Sequence, residues 1–302
     1  MLPKFPVFKK LELSDQIDIE KITSKYQPYS DFDFFSMWSW DVLGTYRISE
    51  LNGNLVVVLL DHFTNDPVYS FIGNNQSEKT IKQLFAFFEI IDNPTPVMKL
   101  IPEISLQDVN FKKYLIEIDL NNYDYVYSTM ELSTYEGSKF SGKRKLSNRF
   151  FKNHNNVELK LHDLKSDFVK SEIINFSKYW KSQKTTEVDG LDLQKELTAI
   201  QRFLDANFEE SFCTLLYADQ KMVGYQLFTP STHGYAICHF GKSDVNFNGA
   251  FEYMMSESCK LLVNKNIQFL NTEEDLGIQQ LRFTKNSYHP ITLLRKYTIK
   301  TL

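Results

Sequence analysis

Two apolar runs flank the polar pair Asp219-Gln220 in the stretch Ser211-Phe-Cys-Thr-Leu-Leu-Tyr-Ala-Asp-Gln-Lys-Met-Val-Gly-Tyr-Gln-Leu-Phe-Thr229. Apolar runs of strand length separated by a short turn predict a β-hairpin. A third run, Gly234 to Gly241, completes a three-strand meander. A helical pattern follows at Ala250 to Asn264, and a short strand pattern at Ile267 to Asn271. This order of strands and helices predicts an α+β unit.

The N-terminal half shows the same order of elements. Asn52-Gly53 lies between two apolar runs, which is a strong hairpin signal. A third strand, a helix at Glu78 to Ile90 and further strands follow. We therefore predict two tandem α+β units, each with a mixed and mostly antiparallel sheet flanked by helices. The predicted boundaries are 1–122 and 123–302, and the pattern from Thr292 to Lys300 is assigned as the strand that closes the second unit.

Composition restricts the class of protein. The chain has 302 residues, of which 42% are hydrophobic and 24% charged, as expected for a globular protein with a substantial core. The three cysteines form no CxxC pair, and no His/Cys spacing typical of a metal site occurs. No apolar run approaches the ~20 residues that a transmembrane helix needs. We expect a cytoplasmic protein with no transmembrane segment, with contact to the inner membrane face left open.

Positive charge is concentrated in two stretches that contain no acid, although the chain as a whole has 34 basic and 38 acidic residues. One stretch is Gly137 to His154, and the other is Leu276 to the C-terminus. Such stretches favour a polyanionic partner, such as tRNA or an anionic lipid surface. Two solvated helix faces would give the same pattern. The candidate residues for binding an anionic donor are Lys139, Lys143, Arg144, Lys145, Arg149, Arg282 and Lys285.

The first basic stretch has helical periodicity. If a helix begins near Ser141, then Lys145, Arg149 and Lys152 fall on one stripe at i, i+4 and i+7. Leu146, Phe150 and Phe151 then fall on an adjacent apolar face that should pack inward. The segment is therefore predicted to present cations outward from an apolar base.

The order of elements resembles the GNAT (acyl-CoA N-acyltransferase) fold in tandem. A narrower resemblance rests on Tyr125-Val-Tyr, Lys139-Phe-Ser-Gly-Lys-Arg-Lys-Leu-Ser-Asn-Arg-Phe, Asn271-Thr-Glu-Glu-Asp-Leu-Gly-Ile-Gln-Gln-Leu-Arg, Lys285-Asn-Ser-Tyr-His-Pro and Lys296-Tyr297. These segments look like those of the bacterial family that shares the C-terminal domain of phosphatidylglycerol lysyltransferases. The resemblance implies an acyltransferase or aminoacyltransferase that moves an aminoacyl group from aminoacyl-tRNA to a lipid hydroxyl or a peptide amine.

The loop before the predicted helix at Ala250 departs from the GNAT pattern. GNAT enzymes hold the pyrophosphate of CoA on backbone N–H groups of a glycine-rich loop at a helix N-terminus. The corresponding loop here, Asp244-Val-Asn-Phe-Asn-Gly-Ala250, has one glycine and an aspartate. We therefore expect a donor held by side-chain charge, such as aminoacyl-tRNA, in preference to acyl-CoA.

Three further residues are candidates for catalysis. In Thr272-Glu-Glu-Asp275, either Glu274 or Asp275 could bind a cationic amine or act as a general base. Asp275 also has capping-box spacing from Thr272, which would be a structural role. Tyr288 resembles, by its place in the order of elements, the tyrosine that protonates the leaving group in GNAT enzymes. A packed tyrosine before the turn at His289-Pro290 is the alternative.

The leading hypothesis is an acyl or aminoacyl transferase with its site in the second unit. We expect a pocket between the strands Gly234 to Gly241 and Ile267 to Asn271, where a GNAT sheet separates. One alternative is an N-acetyltransferase that uses acetyl-CoA. The other is a non-catalytic protein that binds RNA or anionic lipid through the basic stretches.

Overall fold

The structure is a computed structural model that describes residues 1–93, 96–183 and 192–302. The chain forms two compact units. The first comprises residues 1–124, 274–278 and 294–302, and the second comprises 125–273 and 279–293. The chain therefore enters the first unit, builds the second, and returns twice to the first.

The first unit contains one mixed sheet, whose strand order among the described residues is β1-β2-β3-β4-β5-β14-β6. Its β4 and β5 are parallel, and the other neighbouring strands pair antiparallel. The elements are β1 Lys9–Lys10, α1 Gln16–Thr23, α2 Phe34–Trp40, β2 Arg47–Leu51, β3 Asn54–Leu60, β4 Pro67–Ile72, α3 Ser77–Ile90, β5 Val97–Pro102, β6 Tyr114–Ile118 and, from the end of the chain, β14 Lys296–Thr301.

The second unit contains the other mixed sheet, with the order β13-β7-β12-β11-β10-β9-β8 among the described residues. The elements are β7 Asp124–Ser128, α4 Thr129–Thr134, α5 Ser141–Asn153, β8 Glu158–Asp163, α6 Asp167–Ser182, α7 Leu193–Asp205, β9 Phe212–Ala218, β10 Lys221–Pro230, β11 Tyr235–Ser243, α8 Ala250–Asn264, β12 Phe269–Asn271, α9 Gln279–Asn286 and β13 Thr292–Leu294. The predicted α+β class with two sheets flanked by helices is confirmed.

The hairpin predicted at Asn52-Gly53 is present. Leu51 pairs with Asn54, and both turn residues have positive φ, 54° and 81°. Two consecutive residues with positive φ define the tight turn that matches the twist of antiparallel strands. Glycine adopts this conformation without steric cost.

The predicted closing strand, Thr292 to Lys300, is wrong as a single element. The structure divides it into β13, in the second sheet, and β14, which pairs with β5 and β6 of the first sheet. Lys296 explains the division, because its fully buried ammonium lies 2.7 Å from Asp124 Oδ1 and also pairs with Asp31. The predicted unit 123–302 differs from the observed grouping at two segments, 274–278 and 294–302, which belong to the first unit.

Helix α8 packs its apolar face on the second sheet. Its buried residues include Met254, Met255, Cys259 and Leu262, which share one helical stripe. Met255, Cys259 and Leu262 belong to a core cluster with Tyr127, Phe228, Cys238 and Tyr288. This packing fixes the positions of β11 and of the residues that follow α9.

Candidate functional site

A gap in strand pairing opens between β11 and β12. The parallel pairing covers three residue pairs, from Tyr235 with Phe269 to Ile237 with Asn271. Strand β12 ends there, whereas β11 continues to Ser243 with β10 on its other side. This is the position at which the sequence indicated that the sheet separates.

A β-bulge at His239 marks the start of the gap. Phe228 of β10 pairs with Cys238, whereas its neighbour Leu227 pairs with Phe240, so His239 is an extra residue in β11. A bulge increases local twist and redirects the side chains on either side of it. The bulge therefore contributes to the divergence of β11 from β12.

Gln226 is a buried amide beside this gap. Its side chain is 0% exposed, and its Nε2 lies 3.9 Å from both Cys238 Sγ and Met255 Sδ. Its Oε1 has no hydrogen-bond partner among the described residues. A buried oxygen without a partner costs about 1–3 kcal/mol, so its presence requires an explanation. The atom is a buried acceptor whose hydrogen-bonding capacity is unused among the described residues.

Tyr288 belongs to the same apolar cluster and is 3% exposed. Its ring centroid lies 6.2 Å from that of Phe251 and 6.3 Å from that of Tyr127. Its hydroxyl lies near that of Tyr135, which itself donates to the Glu252 carbonyl, but the two hydroxyls make no hydrogen bond of ordinary geometry. Burial, reinforced by Tyr135 and Glu252, raises the Tyr288 pKa well above its usual value. The hydroxyl therefore stays protonated and can act as a hydrogen-bond donor.

Lys143 of α5 reaches this tyrosine. Its Nζ lies 3.7 Å from the centroid of the Tyr288 ring and 3.4 Å from Glu252 Oε1. Burial lowers the Lys143 pKa, and Glu252 opposes that shift. An ammonium over an aromatic face is attracted by the ring quadrupole. Lys143 thus points inward, to the predicted catalytic tyrosine.

The three consecutive acidic residues, Glu273, Glu274 and Asp275, lie in different environments. Glu273 belongs to the second unit, and its Oε1 lies 3.2 Å from His239 Nδ1. The opposite ring nitrogen, His239 Nε2, lies 2.7 Å from the Thr229 hydroxyl. Because a carboxylate only accepts, Nδ1 donates to Glu273, and in the neutral ring Nε2 then accepts from the Thr229 hydroxyl. This Thr–His–Glu relay is one that sequence reasoning missed, since an isolated histidine in an apolar strand was its only signal.

Glu274 joins a buried ionic cluster in the first unit. Its Oε2 lies 2.9 Å from the Ser30 hydroxyl and 3.8 Å from Lys296 Nζ. Lys296 also pairs with Asp31 and Asp124, so three carboxylates surround one ammonium. Burial raises the Asp31 pKa to about 8, although Lys296 opposes the shift. Glu274 and Tyr288 therefore belong to different units.

Asp275 is fully buried and supports the turn before α9. Its Oδ1 accepts from the Gly277 amide at 2.8 Å, and its carbonyl accepts from the Ile278 amide. The capping box considered for Thr272 and Asp275 does not form, because α9 begins only at Gln279. The geometry gives Asp275 a clear local structural role.

The predicted anion-binding residues do not share one environment. Lys139 pairs with Glu131, and Arg144 donates to the Tyr135 and Gly137 carbonyls. Lys285 donates to the Glu273 carbonyl at 3.0 Å and to that of Thr272, and Arg282 is half-buried. The outward-facing basic side chains of α5 are Lys145, Arg149 and Lys152.

The apolar base of α5 is partly as predicted. Phe150 is fully buried and Leu146 is half-buried, but Phe151 is 55% exposed. The expectation that Phe151 packs inward is therefore wrong, because successive residues on a helix point about 100° apart. Phe151 instead stacks on Tyr253 at 5.7 Å between ring centroids.

Helix α5 lies against the N-terminus of α8. Gly249 precedes α8 with φ 93°, and a side chain at this position would collide with the Leu146 carbonyl oxygen. In the loop before it, Asp244 accepts from the Asn246 amide at 2.9 Å. The helix start that would bind an anion in a typical GNAT loop is therefore in contact with the α5 backbone.

The two sheets, each with a parallel strand pair, and the gap between β11 and β12 define a tandem GNAT-like fold. The chain belongs to the family "Phosphatidylglycerol lysyltransferase, C-terminal", whose profile matches residues 36–300. Membership in this family and the GNAT-like fold support an acyltransferase. No curated protein matches the chain.

Solved structures share the fold at low identity. A conserved protein of unknown function from Bacteroides thetaiotaomicron is 24% identical, with a TM-score of 0.83 and 100% of each chain covered. L-PGS from Bacillus licheniformis is 12% identical, with a TM-score of 0.65, 97% of this chain and 93% of that chain covered. The C-terminal domain of a protein described as a lysylphosphatidylglycerol synthetase, from Agrobacterium fabrum, is 10% identical, with a TM-score of 0.64 and coverage of 95% and 92%.

Two kinds of feature are absent from the described residues, membrane-spanning helices and metal-binding clusters. No helix in these parts of the chain combines the length and apolar character needed to cross a membrane. No group of three or more His, Cys, Asp or Glu side chains there is arranged to hold a metal ion. Cys213, Cys238 and Cys259 are buried and free.

Proposed function

We propose that this protein transfers an aminoacyl or other acyl group from an activated ester or thioester donor to an amine or hydroxyl acceptor. The reacting groups lie at the gap between β11 and β12 in the second unit. One observation carries the proposal. The buried Tyr288 hydroxyl and Gln226 Oε1 both lack hydrogen-bond partners among the described residues, and both adjoin the same apolar cluster. Unpartnered buried polar atoms of this kind suit a ligand that completes them.

The chemistry requires one proton donor and little else. The acceptor attacks the acyl carbon, a C–N or C–O bond forms, and the bond from the acyl carbon to the leaving atom breaks, which is oxygen in an ester donor and sulfur in a thioester donor. The leaving oxygen or sulfur takes the Tyr288 proton, and the proton lost by the acceptor returns to Tyr288. The Lys143 ammonium beside the ring stabilises negative charge that develops on Tyr288. Gln226 Oε1 accepts a hydrogen bond from the attacking group and orients it.

A phosphate-bearing donor, aminoacyl-tRNA, fits this chain better than acyl-CoA. The outward stripe of Lys145, Arg149 and Lys152 offers three exposed cations to a polyanion. The contact between Gly249 and the Leu146 carbonyl, together with Asp244, disfavours a pyrophosphate at the start of α8. We place the reaction in the cytoplasm, at the inner membrane face when the acceptor is an anionic lipid.

The test of transfer uses purified protein with a mixture of charged tRNAs and two acceptors, phosphatidylglycerol vesicles and a peptide with a free amine. Loss of aminoacyl ester and appearance of labelled product are measured. We expect protein-dependent transfer of at least one amino acid, reduced strongly in Tyr288→Phe. Failure to accelerate deacylation or transfer for every amino acid would overturn the proposal.

The docking of the donor is tested separately by replacing Lys145, Arg149 and Lys152 together with Gln. Each lost phosphate contact should reduce the magnitude of the slope of log affinity against log salt concentration by about 0.7–0.9. The slope of the triple variant should therefore be shallower than that of the parent by about 2–3. The matched control changes three exposed lysines of the first unit, Lys79, Lys82 and Lys112. An equal loss in both triple variants would contradict docking on α5.

The exposed stripe on α5 also favours a second candidate, a non-catalytic protein that binds RNA or anionic lipid. In that case the α5 triple variant loses binding, but Tyr288→Phe changes nothing measurable. The acetyl-CoA alternative is separated by a thermal shift. Tight binding of CoA at saturating excess stabilises a protein by roughly 2–4 kcal/mol, and no shift would dismiss this donor.

A further inference from the structure

A cavity of about 500 Å³ lies in the second unit, between α6, the start of β10 and the loop that joins β11 to α8. Cavities that bind small molecules usually measure about 300–1,000 Å³, so its size suits a compact ligand. None of the described residues that line it belongs to the Tyr288 cluster, and the proposed transfer chemistry does not use this cavity.

The described residues of the lining carry a net negative charge. Among them Glu172 and Asp244 contribute carboxylates, and Lys221 contributes the single ammonium. Asp244 is held in place, because its Oδ2 accepts from the Tyr179 hydroxyl at 2.9 Å and its Oδ1 accepts from Asn246. Glu172 is half-buried, and its side chain forms no ion pair or hydrogen bond within the described parts of the chain. The cavity is thus lined by one carboxylate held by hydrogen bonds, that of Asp244, and by one without a partner among the described residues, that of Glu172.

Aromatic rings form part of the remaining lining. Phe176 is 6% exposed, Phe247 is half-buried, and Tyr179 contributes a ring as well as the hydroxyl that holds Asp244. The Phe176 and Tyr179 ring centroids are 6.0 Å apart. Aromatic faces attract organic cations through the ring quadrupole, and carboxylates attract them through charge. The same lining repels phosphate and other anions.

We propose that this cavity binds an organic ammonium ion, with its charge between Glu172 and Asp244 and its alkyl groups against Phe176 and Phe247. The site is separate from the transfer site, so it stands or fails independently of the proposed function. It gives the protein a means of binding an amine-bearing compound through shape and charge together.

The test compares each cation with a neutral compound of nearly the same shape. Choline is paired with 3,3-dimethyl-1-butanol, and n-butylammonium with 1-butanol. Each is titrated against the full chain, and the backbone amide resonances of residues 244–247 are followed by NMR. We expect at least one cation to shift these resonances with a dissociation constant on the order of 1 mM, as befits a fragment, and its neutral partner to bind far more weakly.

The contribution of charge is tested with Glu172→Gln, which keeps the size and helix propensity of the side chain. Loss of one partly exposed charge contact should weaken binding of the cation about two- to fivefold. Glu209→Gln, at an exposed residue outside the cavity, removes the same charge and should leave binding unchanged. Equal titrations of the two variants, or equal shifts by a cation and its neutral partner, would overturn the proposal.

Discussion

Replacing Tyr288 with Phe should separate stability from activity, because the two are expected to change in opposite directions. The substitution removes one atom, the hydroxyl oxygen, which is buried without a hydrogen-bond partner among the described residues. A hydroxyl in that state costs the folded protein about 1–3 kcal/mol. The Phe variant should therefore be as stable as the parent, or more stable by up to about 2 kcal/mol.

Activity should fall by the contribution of one general acid, about 10²–10⁴-fold in kcat. Stability is measured by denaturant unfolding, and activity by single-turnover transfer from the donor identified in the charged-tRNA assay. The unfolding measurement needs no substrate, so the predicted effect on stability can be tested first. A structural tyrosine would show the reverse, with a loss of stability and little change in turnover.

Tyr127→Phe is the matched control, since Tyr127 lies in the same cluster and donates its hydroxyl to the Lys285 carbonyl at 2.9 Å. Loss of that hydrogen bond should cost about 1 kcal/mol without affecting the chemical step. If Tyr288→Phe is destabilised as much as Tyr127→Phe, the hydroxyl has a partner and our reasoning about the site is wrong.

Three further predictions concern the frame around the site. Gly249→Ala should lower the free energy of unfolding by at least about 2 kcal/mol, because the φ of Gly249 is 93° and the new Cβ would meet a backbone oxygen. In the same urea unfolding experiment the control Gly142→Ala, in open space on α5, should raise the free energy of unfolding by up to about 1 kcal/mol. Lys296→Met should lower the free energy of unfolding by about 3–5 kcal/mol, because it leaves buried carboxylates without a counter-charge. The control Lys300→Met, at an exposed ion pair, should lower it by at most about 1 kcal/mol, and similar losses in the two variants would contradict the buried cluster. Burial raises the pKa of the Asp31 carboxyl above its usual value, so over a range of pH the folded protein holds a proton that the unfolded chain has lost, and the contribution of Asp31 to stability falls as pH rises through that range. In Asp31→Asn, the free energy of unfolding measured from pH 5 to pH 8 should decline less with pH than in the parent. The same pH dependence in both proteins would count against a raised Asp31 pKa.

Local patterns in the sequence predicted most of the elements. The Asn52-Gly53 turn and the helix at Ala250–Asn264 were both predicted, because turn chemistry and apolar periodicity are properties of neighbouring residues. The strand from Thr292 to Lys300 was predicted as one element, because apolar alternation carries no information about which sheet a strand joins. Its division depends on Lys296, whose partners lie far away in the sequence.

The candidate site was predictable only in part. Tyr288 was predicted as a catalytic candidate from its position in the order of elements, and the structure adds that its hydroxyl is buried and makes no hydrogen bond of ordinary geometry with the described residues. The Thr229–His239–Glu273 relay could not be predicted, since it depends on a bulge and on residues brought together by the fold. The basic residues were predicted as one group, but burial and intrachain partners, which composition does not reveal, divide them.

The return of β14 to the first sheet has a consequence for the folding of the nascent chain. Strands β5 and β6 are neighbours only through β14, with Tyr297 pairing to Ile101 on one side and Ile118 on the other. While the ribosome makes the second unit, β5 keeps an open edge and β6 has no partner strand in the described sheet, so both can pair with another chain. The first unit to be synthesised is therefore the last to be completed, and a ribosome stalled before Lys296 would leave it open to aggregation.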